Sequence, residues 1–204
     1  MYPFEFNGLK IMVCDSVYEP AEDSFLLAKH AAGLRGRILD MGTGSGLSAL
    51  ANALANPNNE VIGVDTNSEA IRCATENAKS NKIKNARFLV SDFFNAVEGK
   101  FDGIIFNPPY LPTEYNERVD GKLNLAFDGG KDGRKVLERF LAVFDKHLNP
   151  GGTLLLLQSS VNGPIKTRRF LERLGYKVSF EGREDFFFES IWVVRAEKPD
   201  SLKG

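Results

Sequence analysis

Short apolar runs alternate with longer stretches of helical periodicity along most of this chain. The pattern predicts strands at Arg37–Met41, Glu60–Asp65, Ala86–Ser91, Gly103–Asn107, Gly152–Gln158, Lys177–Glu181 and Glu189–Ala196. Gly103-Ile104-Ile105-Phe106 and Leu154–Leu157 are apolar without interruption, as in strands covered on both faces of a parallel sheet. Between them, Leu47–Ala55 is rich in Ala and Leu, and Ser68–Asn81 carries Ala70, Ile71, Ala74 and Ala78 behind Ser68 as cap. Lys135–His147 aligns Val136, Phe140, Val143 and Phe144, and Pro164–Leu174 stops at Gly175. Strand–helix alternation predicts a doubly wound α/β fold. No helix separates the last two strands, and Gly182, Arg183 and Glu184 stand at the expected turn, so this pair is read as antiparallel. Phe186-Phe187-Phe188 is expected at a strand junction in the core, Trp192 in packing, and Arg168 and Arg169 on a solvated face. Leu111–Arg134, rich in Gly, Asp and Asn, is the least patterned stretch and reads as a functional loop or lid.

Composition narrows the classes. At 204 residues the chain is expected to form a single domain, with 43% hydrophobic and 26% charged residues as in ordinary globular proteins. No apolar run approaches a membrane span, and MYPFEFNGLK has no basic start leading into an apolar stretch. Cys14 and Cys73 show neither a metal spacing nor a disulfide framework, so no role is expected for them and a reducing cytoplasm is the expected location. The net charge of −1 argues against a protein that grips nucleic acid by its phosphates.

The first chemical motif is Asp40-Met41-Gly42-Thr43-Gly44-Ser45-Gly46, a strand running into three glycines and then a helix. The spacing lacks the third glycine of a dinucleotide fingerprint, because position 47 is Leu. A carboxylate at Asp40 is badly placed for pyrophosphate and well placed for a ligand's ammonium group. Asp65 ends the next strand, where an acid accepts hydrogen bonds from ribose hydroxyls. Asp40, Gly42, Gly44, Gly46 and Asp65 together describe a cationic nucleoside with an amino acid tail, S-adenosylmethionine. Asp92 after the third strand is placed to bond the adenine amine, and Phe93 to cover the ring. The combination resembles the class I methyltransferases, which implies a Rossmann-like seven-stranded sheet with helices on both faces and an antiparallel last strand.

The fourth strand ends in Asn107-Pro108-Pro109-Tyr110. Two prolines stiffen this turn beside the strand ends that hold the nucleoside. Asn107 offers a carbonyl acceptor at a fixed place, Pro108 a backbone carbonyl, and Tyr110 a flat face. Such a turn suits a planar NH₂ acceptor, with Asn107 reaching both acceptor and cofactor. The motif is similar to that of amino-methyltransferases, whose acceptors include adenine, cytosine and protein glutamine.

Near-neutral charge and a chain too short for a separate target-recognition domain favour a protein acceptor. Tyr18-Glu19-Pro20-Ala21-Glu22-Asp23-Ser24 and Asp128-Gly129-Gly130-Lys131-Asp132-Gly133 then resemble the short archaeal and eukaryotic branch of the HemK/PrmC glutamine methyltransferase family. Read locally, Pro20 opens a helix, Glu22 and Asp23 favour its positive end, and the Ser24 hydroxyl can reach the methionine tail. The resemblance implies a protein acceptor, the glutamine of the Gly-Gly-Gln motif in class 1 translation release factors. It also implies a small zinc-binding activator subunit, for which the Phe88-Leu89-Val90 strand is a candidate edge, ordinary core being the alternative. Residues 1–36 would cover the cofactor and 111–134 the substrate. Adenine in DNA or RNA and protein lysine are the rival acceptors, and a silent nucleoside-binding subunit is the rival without chemistry.

Overall fold

The computed structural model describes residues 3–110 and 132–200. Seven strands form one sheet: β3 (Arg37–Met41), β4 (Glu60–Asp65), β5 (Ala86–Val90), β6 (Phe101–Phe106), β7 (Leu148–Ser159), β8 (Lys177–Asp185) and β9 (Ser190–Glu197). Their order is β5-β4-β3-β6-β7-β9-β8. Pairs from β5 across to β7 are parallel, and β9 pairs antiparallel with both β7 and β8, so β9 alone runs against the rest. The chain winds outward from β3 in one direction through β4 and β5, and in the other from β6 onward. Strand order therefore reverses between β3 and β6, which opens a crevice at their carboxyl ends.

Alternation within the strands builds a core on each face. Leu39, Ile104, Leu154 and Leu156 pack with α4 (Lys135–Leu141) and α5 (Pro164–Arg173). Ile38, Ile105, Leu155 and Leu157 pack with α1 (Glu22–Ala31) and α2 (Leu47–Ala55). Helix α3 (Ser68–Ser80) lies beside α2 on the latter side. Burial on both faces explains the uninterrupted apolar runs. No helix among the described residues is long and apolar enough to cross a membrane.

Several local expectations need correction. Helix α3 is capped by Asn67, whose side chain accepts from Glu69 N; Ser68 is already helical. The stripe at Lys135–His147 is not one helix. Backbone bonds tighten after Leu141, with Val143 N donating to Phe140 O at 3.0 Å, and a 3₁₀ turn follows at Phe144–His147. Phe140 and Phe144 still share the core, their ring centroids 5.4 Å apart.

The expected turn at Gly182–Glu184 is a β-bulge. Gly182 takes φ +59°, and the ladder shifts between Glu181 and Arg183 before resuming to Asp185↔Ser190. A Cβ on Gly182 would press on His30 and Leu26 of α1, so a bare backbone is needed for that approach. The reversal comes later, closed by Phe186 N donating to Glu189 O at 2.7 Å. Phe187 and Phe188 are accordingly 93% and 88% exposed, outside the core in which the sequence pattern placed them.

The N-terminal segment contains an unanticipated hairpin, β1 (Pro3–Phe6) and β2 (Leu9–Met12). Its signal was Asn7-Gly8 between apolar alternations, and both residues have positive φ, 46° and 86°. Asn77 on α3 and Asn81, its C-cap, bond the backbone of Met12 and Lys10 as a neighbouring strand would. Cys14 and Cys73 are joined in a disulfide with Cα atoms 5.8 Å apart, contrary to the expectation that they pair with nothing. A separation of 59 residues hides this pairing from the sequence, and the cysteines lend no support to a reducing compartment.

Candidate active site

The crevice above β3 and β6 holds a cavity of about 330 Å³ lined by the glycine loop, Asp40, Asp65, the Asn-Pro-Pro-Tyr turn and Ser16, Val17, Tyr18, Pro20, Asp23 and Ser24. Such a volume suits a small-molecule ligand.

One half is built by β3, β4 and the loop into α2. Gly44 at φ +53° and Gly46 at φ +87° take a left-handed backbone that side chains disfavour. A Cβ on Gly44 would meet nothing within 4 Å, whereas one on Gly46 would press Ala74 at 2.9 Å. The first glycine thus gives a ligand room and the second lets α3 approach. Asp65 accepts from Gly44 N at 3.0 Å and Asn67 N at 2.9 Å. Burial raises its carboxyl above the ordinary range, and these backbone donors oppose the rise. Asp40 is 3% exposed and takes bonds from Thr43 Oγ1 at 2.6 Å and Ala49 N at 3.2 Å, both on Oδ2. Burial pushes this carboxyl up to about 7, against the pull of those two donors and with a small contribution from Asp65. A buried acid beside an open cavity gains from a cationic ligand, so Asp40, the open wall at Gly44 and Asp65 fit S-adenosylmethionine.

The adenine-side expectation fits less directly. Phe93 lines the cavity in a left-handed conformation, φ +49°. The Asp92 carboxylate is half exposed and ion-paired with Arg139 at 3.1 Å, and the Arg139 guanidinium lies 4.9 Å from the Phe93 ring centroid. Asp92 thus borders the cavity already engaged with a cation.

The other half centres on Asp23, 4% exposed in the first turn of α1. Its Oδ1 accepts from Ser24 N at 2.6 Å, Ser24 Oγ at 3.1 Å and Tyr18 OH at 3.3 Å. Its Oδ2 accepts from Asn107 Nδ2 at 2.9 Å and Tyr110 OH at 3.4 Å. Burial and then the neighbouring Asp23 raise both phenols, Tyr18 and Tyr110, well above the ordinary range, so both remain protonated donors. With Nδ2 committed to Asp23, Asn107 keeps its Oδ1 buried and without a hydrogen-bond partner among the described residues. Two other buried side-chain atoms among the described residues share that condition, Gln158 Oε1 and Asn162 Nδ2, but neither residue lines the cavity. An orphaned buried acceptor costs about 1–3 kcal/mol, which a donor on a ligand would recover.

Ser24 does line the cavity, with its hydroxyl turned to Asp23. Pro108 is buried, and Pro109 and Tyr110 are half buried in the wall. Sequence reasoning treated Asp23 only as a helix-start acid; its overlooked signal was a short carboxylate within the Tyr18–Ser24 motif. Gly133, part of the Asp128–Gly133 segment that carries the resemblance, stands just before α4. Its φ is +68°, and a Cβ there would collide with the Tyr110 carbonyl oxygen, so it braces the Asn-Pro-Pro-Tyr turn from behind. The rest of the expected lid, 111–131, lies outside the described residues.

Residues 19–120 match the family model described as Methyltransferase small domain. A protein of Methanocaldococcus jannaschii, provisionally named as a protein N5-glutamine methyltransferase, is 45% identical over 94% of this chain and 97% of its own length. Methyltransferase HEMK2 of Mus musculus is 35% identical over 89% and 90%. Among solved structures, the E. cuniculi Mtq2–Trm112 complex, responsible for methylation of the translation termination factor eRF1, aligns with TM-score 0.67 and 26% identity, covering 90% of this chain and 99% of the matched one.

Proposed function

The chain belongs to the HemK/PrmC family of class I S-adenosylmethionine-dependent methyltransferases, and we propose that it methylates the side-chain amide nitrogen of glutamine in the Gly-Gly-Gln motif of a class 1 translation release factor. The observation that carries this reading is Asn107, which lines a cavity fit for the cofactor and whose Oδ1 is a buried acceptor without a partner among the described residues.

Asp40, the glycine loop and Asp65 would hold S-adenosylmethionine, with Phe93 against the base. When bound, the cofactor supplies an electrophilic methyl group on a positively charged sulfur. Every other requirement falls on the acceptor side. An amide nitrogen is a poor nucleophile because its lone pair is delocalised, so orientation matters more than deprotonation. Asn107 Oδ1 and the Pro108 carbonyl accept the two N–H groups of the glutamine amide, and the Tyr110 ring restricts its plane. Held this way, the nitrogen gains from positioning, an effect that supplies roughly 7–11 kcal/mol in well-oriented systems. Asp23 fixes which end of the Asn107 amide faces the acceptor.

The charges at the site favour this acceptor over its rivals. Six hydrogen-bonding contacts from Tyr18, Ser24, Asn107 and Tyr110 already engage both oxygens of Asp23, so this carboxylate is not offered to a lysine ammonium. Arg139 is the one cation among the described cavity residues, and it is paired with Asp92, so no unpaired cation among them favours nucleic acid.

The free edge of β5, where Val90 is 52% exposed, is the proposed seat of a small zinc-binding activator. Modification of a translation factor fits a cytoplasmic location. The 1–36 segment is read as the cover of the cofactor, because Ser16, Val17, Tyr18, Pro20, Asp23 and Ser24 line the cavity, and 111–134 as the cover of the substrate.

The test is single-turnover methyl transfer from labelled cofactor to a release factor, with and without an activator subunit. Asn107→Ala should lower transfer by at least about a hundredfold while S-adenosylhomocysteine affinity stays within a few-fold, because the lost bond serves the transition state. Full transfer by the variant, or undiminished labelling of a Gln→Ala release factor, would refute the glutamine reading and move adenine or lysine ahead.

A further inference from the structure

Outside the cavity, the chemistry least explained by folding is at the β8–β9 turn. Central positions of a tight hairpin turn usually carry Gly, Asn or Asp, because those residues meet its backbone demands at no cost in exposed apolar surface. Here they are Phe187 and Phe188, 93% and 88% exposed, with ring centroids 4.6 Å apart in an edge-to-face pair. Neither ring stabilises the core.

The position of the turn says what could use these rings. β9 pairs Ile191 with Ser159 on β7, while Leu156 of β7 pairs with Phe106 on β6. Ile191 therefore stands three residues, about 10 Å at ~3.3 Å each, beyond the level of Phe106, on the edge of the sheet where Asn107 emerges. The turn rises farther on the same edge. Its last residue, Glu189, accepts a short hydrogen bond from Ser159 Oγ, and Ser190 N donates to Ser160 Oγ at 3.1 Å. The hairpin is thus tied at its base to Ser159 and Ser160, at the same end of the sheet as the Asn107 turn, and bare at its tip.

We infer that Phe187 and Phe188 form an apolar finger that grips the protein substrate beside the segment carrying the acceptor glutamine. The inference rests on the proposed methylation of a protein. Two aromatic side chains cover roughly 300–500 Å², less than the ~800 Å² per partner of a stable complex. A second copy of this chain would be held too weakly by the tip alone. A substrate also anchored in the cavity needs only such an additional contact. The finger carries no charge of its own, so the matching surface is apolar.

The experiment compares wild type, F187S/F188S and F187L/F188L in steady-state methylation of an intact release factor and of a short Gly-Gly-Gln peptide. The serine variant should raise KM for the intact factor at least about tenfold, as for aromatic anchors in interfaces, with kcat, peptide methylation and S-adenosylhomocysteine affinity unchanged. The leucine variant should keep most of the wild-type KM. Unchanged KM in the serine variant, with wild type active, overturns the finger and leaves the glutamine reading intact. A wild-type dimer in sedimentation that the serine variant abolishes would assign the tip to a second copy and also overturn it. Failure of wild type to methylate either substrate even with an activator subunit present would refute the glutamine reading first, and this inference with it.

Discussion

Replacing Asp40 with Asn separates what the buried acid does for the ligand from what it costs the fold. The side chains are nearly isosteric, and Thr43 Oγ1 and Ala49 N can still be served by an amide. In the ligand-free protein this carboxyl lies near 7, against an ordinary value of 3.8. The native state therefore holds its proton more tightly than the unfolded chain. Between about pH 4 and pH 7 the native state binds more protons, so this group makes stability fall as pH rises. At ~1.36 kcal/mol per pH unit, the full contribution is about 4 kcal/mol, present below pH 4 and lost by about pH 7. Asp40→Asn should remove most of that decline and melt higher than wild type at pH 8. The ligand acts in the opposite direction. If the ammonium of S-adenosylhomocysteine needs ionised Asp40, the dissociation constant scales as 1 + 10^(7 − pH), a rise of about thirtyfold from pH 8 to pH 5.5. Asp65, also raised by burial, would steepen the slope, so the variant isolates the Asp40 share. Asp40→Asn should bind at least about tenfold more weakly at pH 8, because a bond to a charged acceptor is worth roughly 1.5–3 kcal/mol. Its affinity should also depend less on pH. Calorimetric titration at several pH values, beside thermal melts without ligand, measures both effects. A wild-type affinity that stays flat over this range, or a variant as pH-dependent as wild type, would refute the assignment of Asp40 to the ammonium.

Two further substitutions probe the acceptor side. Asp23→Asn weakens the hold on Asn107 and lets its amide rotate; transfer should fall about a hundredfold, as misplacement near the chemistry does, with S-adenosylhomocysteine affinity within a few-fold in calorimetry, and an unaltered single-turnover rate would remove Asp23 from positioning. Gly133→Ala must adopt φ +68° and push against the Tyr110 carbonyl; it should lose at least ~1–2 kcal/mol in thermal or urea melts and most of its transfer rate, and normal melting with normal transfer would show that the turn has room.

Much of the fold and of the cofactor half of the site was legible in the chain because its determinants are local. A strand covered on both faces must be apolar throughout, as at Ile104–Phe106 and Leu154–Leu157. A left-handed turn open to a ligand favours glycine, as at Gly44. A stiff turn at a strand end shows as Asn107-Pro108-Pro109-Tyr110. What stayed hidden depends on groups distant in sequence and adjacent in space. Asp23 and Asn107 are 84 positions apart, and only the packing of α1 across the end of β6 turns an acid at a helix start into the lock on the Asn107 amide. The Cys14–Cys73 link is of the same kind. Gly182 looked like a turn because glycine serves turns and bulges alike, and contact with His30 and Leu26 of α1 made it a bulge. That displacement carried Phe187 and Phe188 beyond the end of the sheet, where no described element covers them. Local pattern reports what a backbone segment can adopt, while the exposure of a side chain is decided by whichever distant element packs against it.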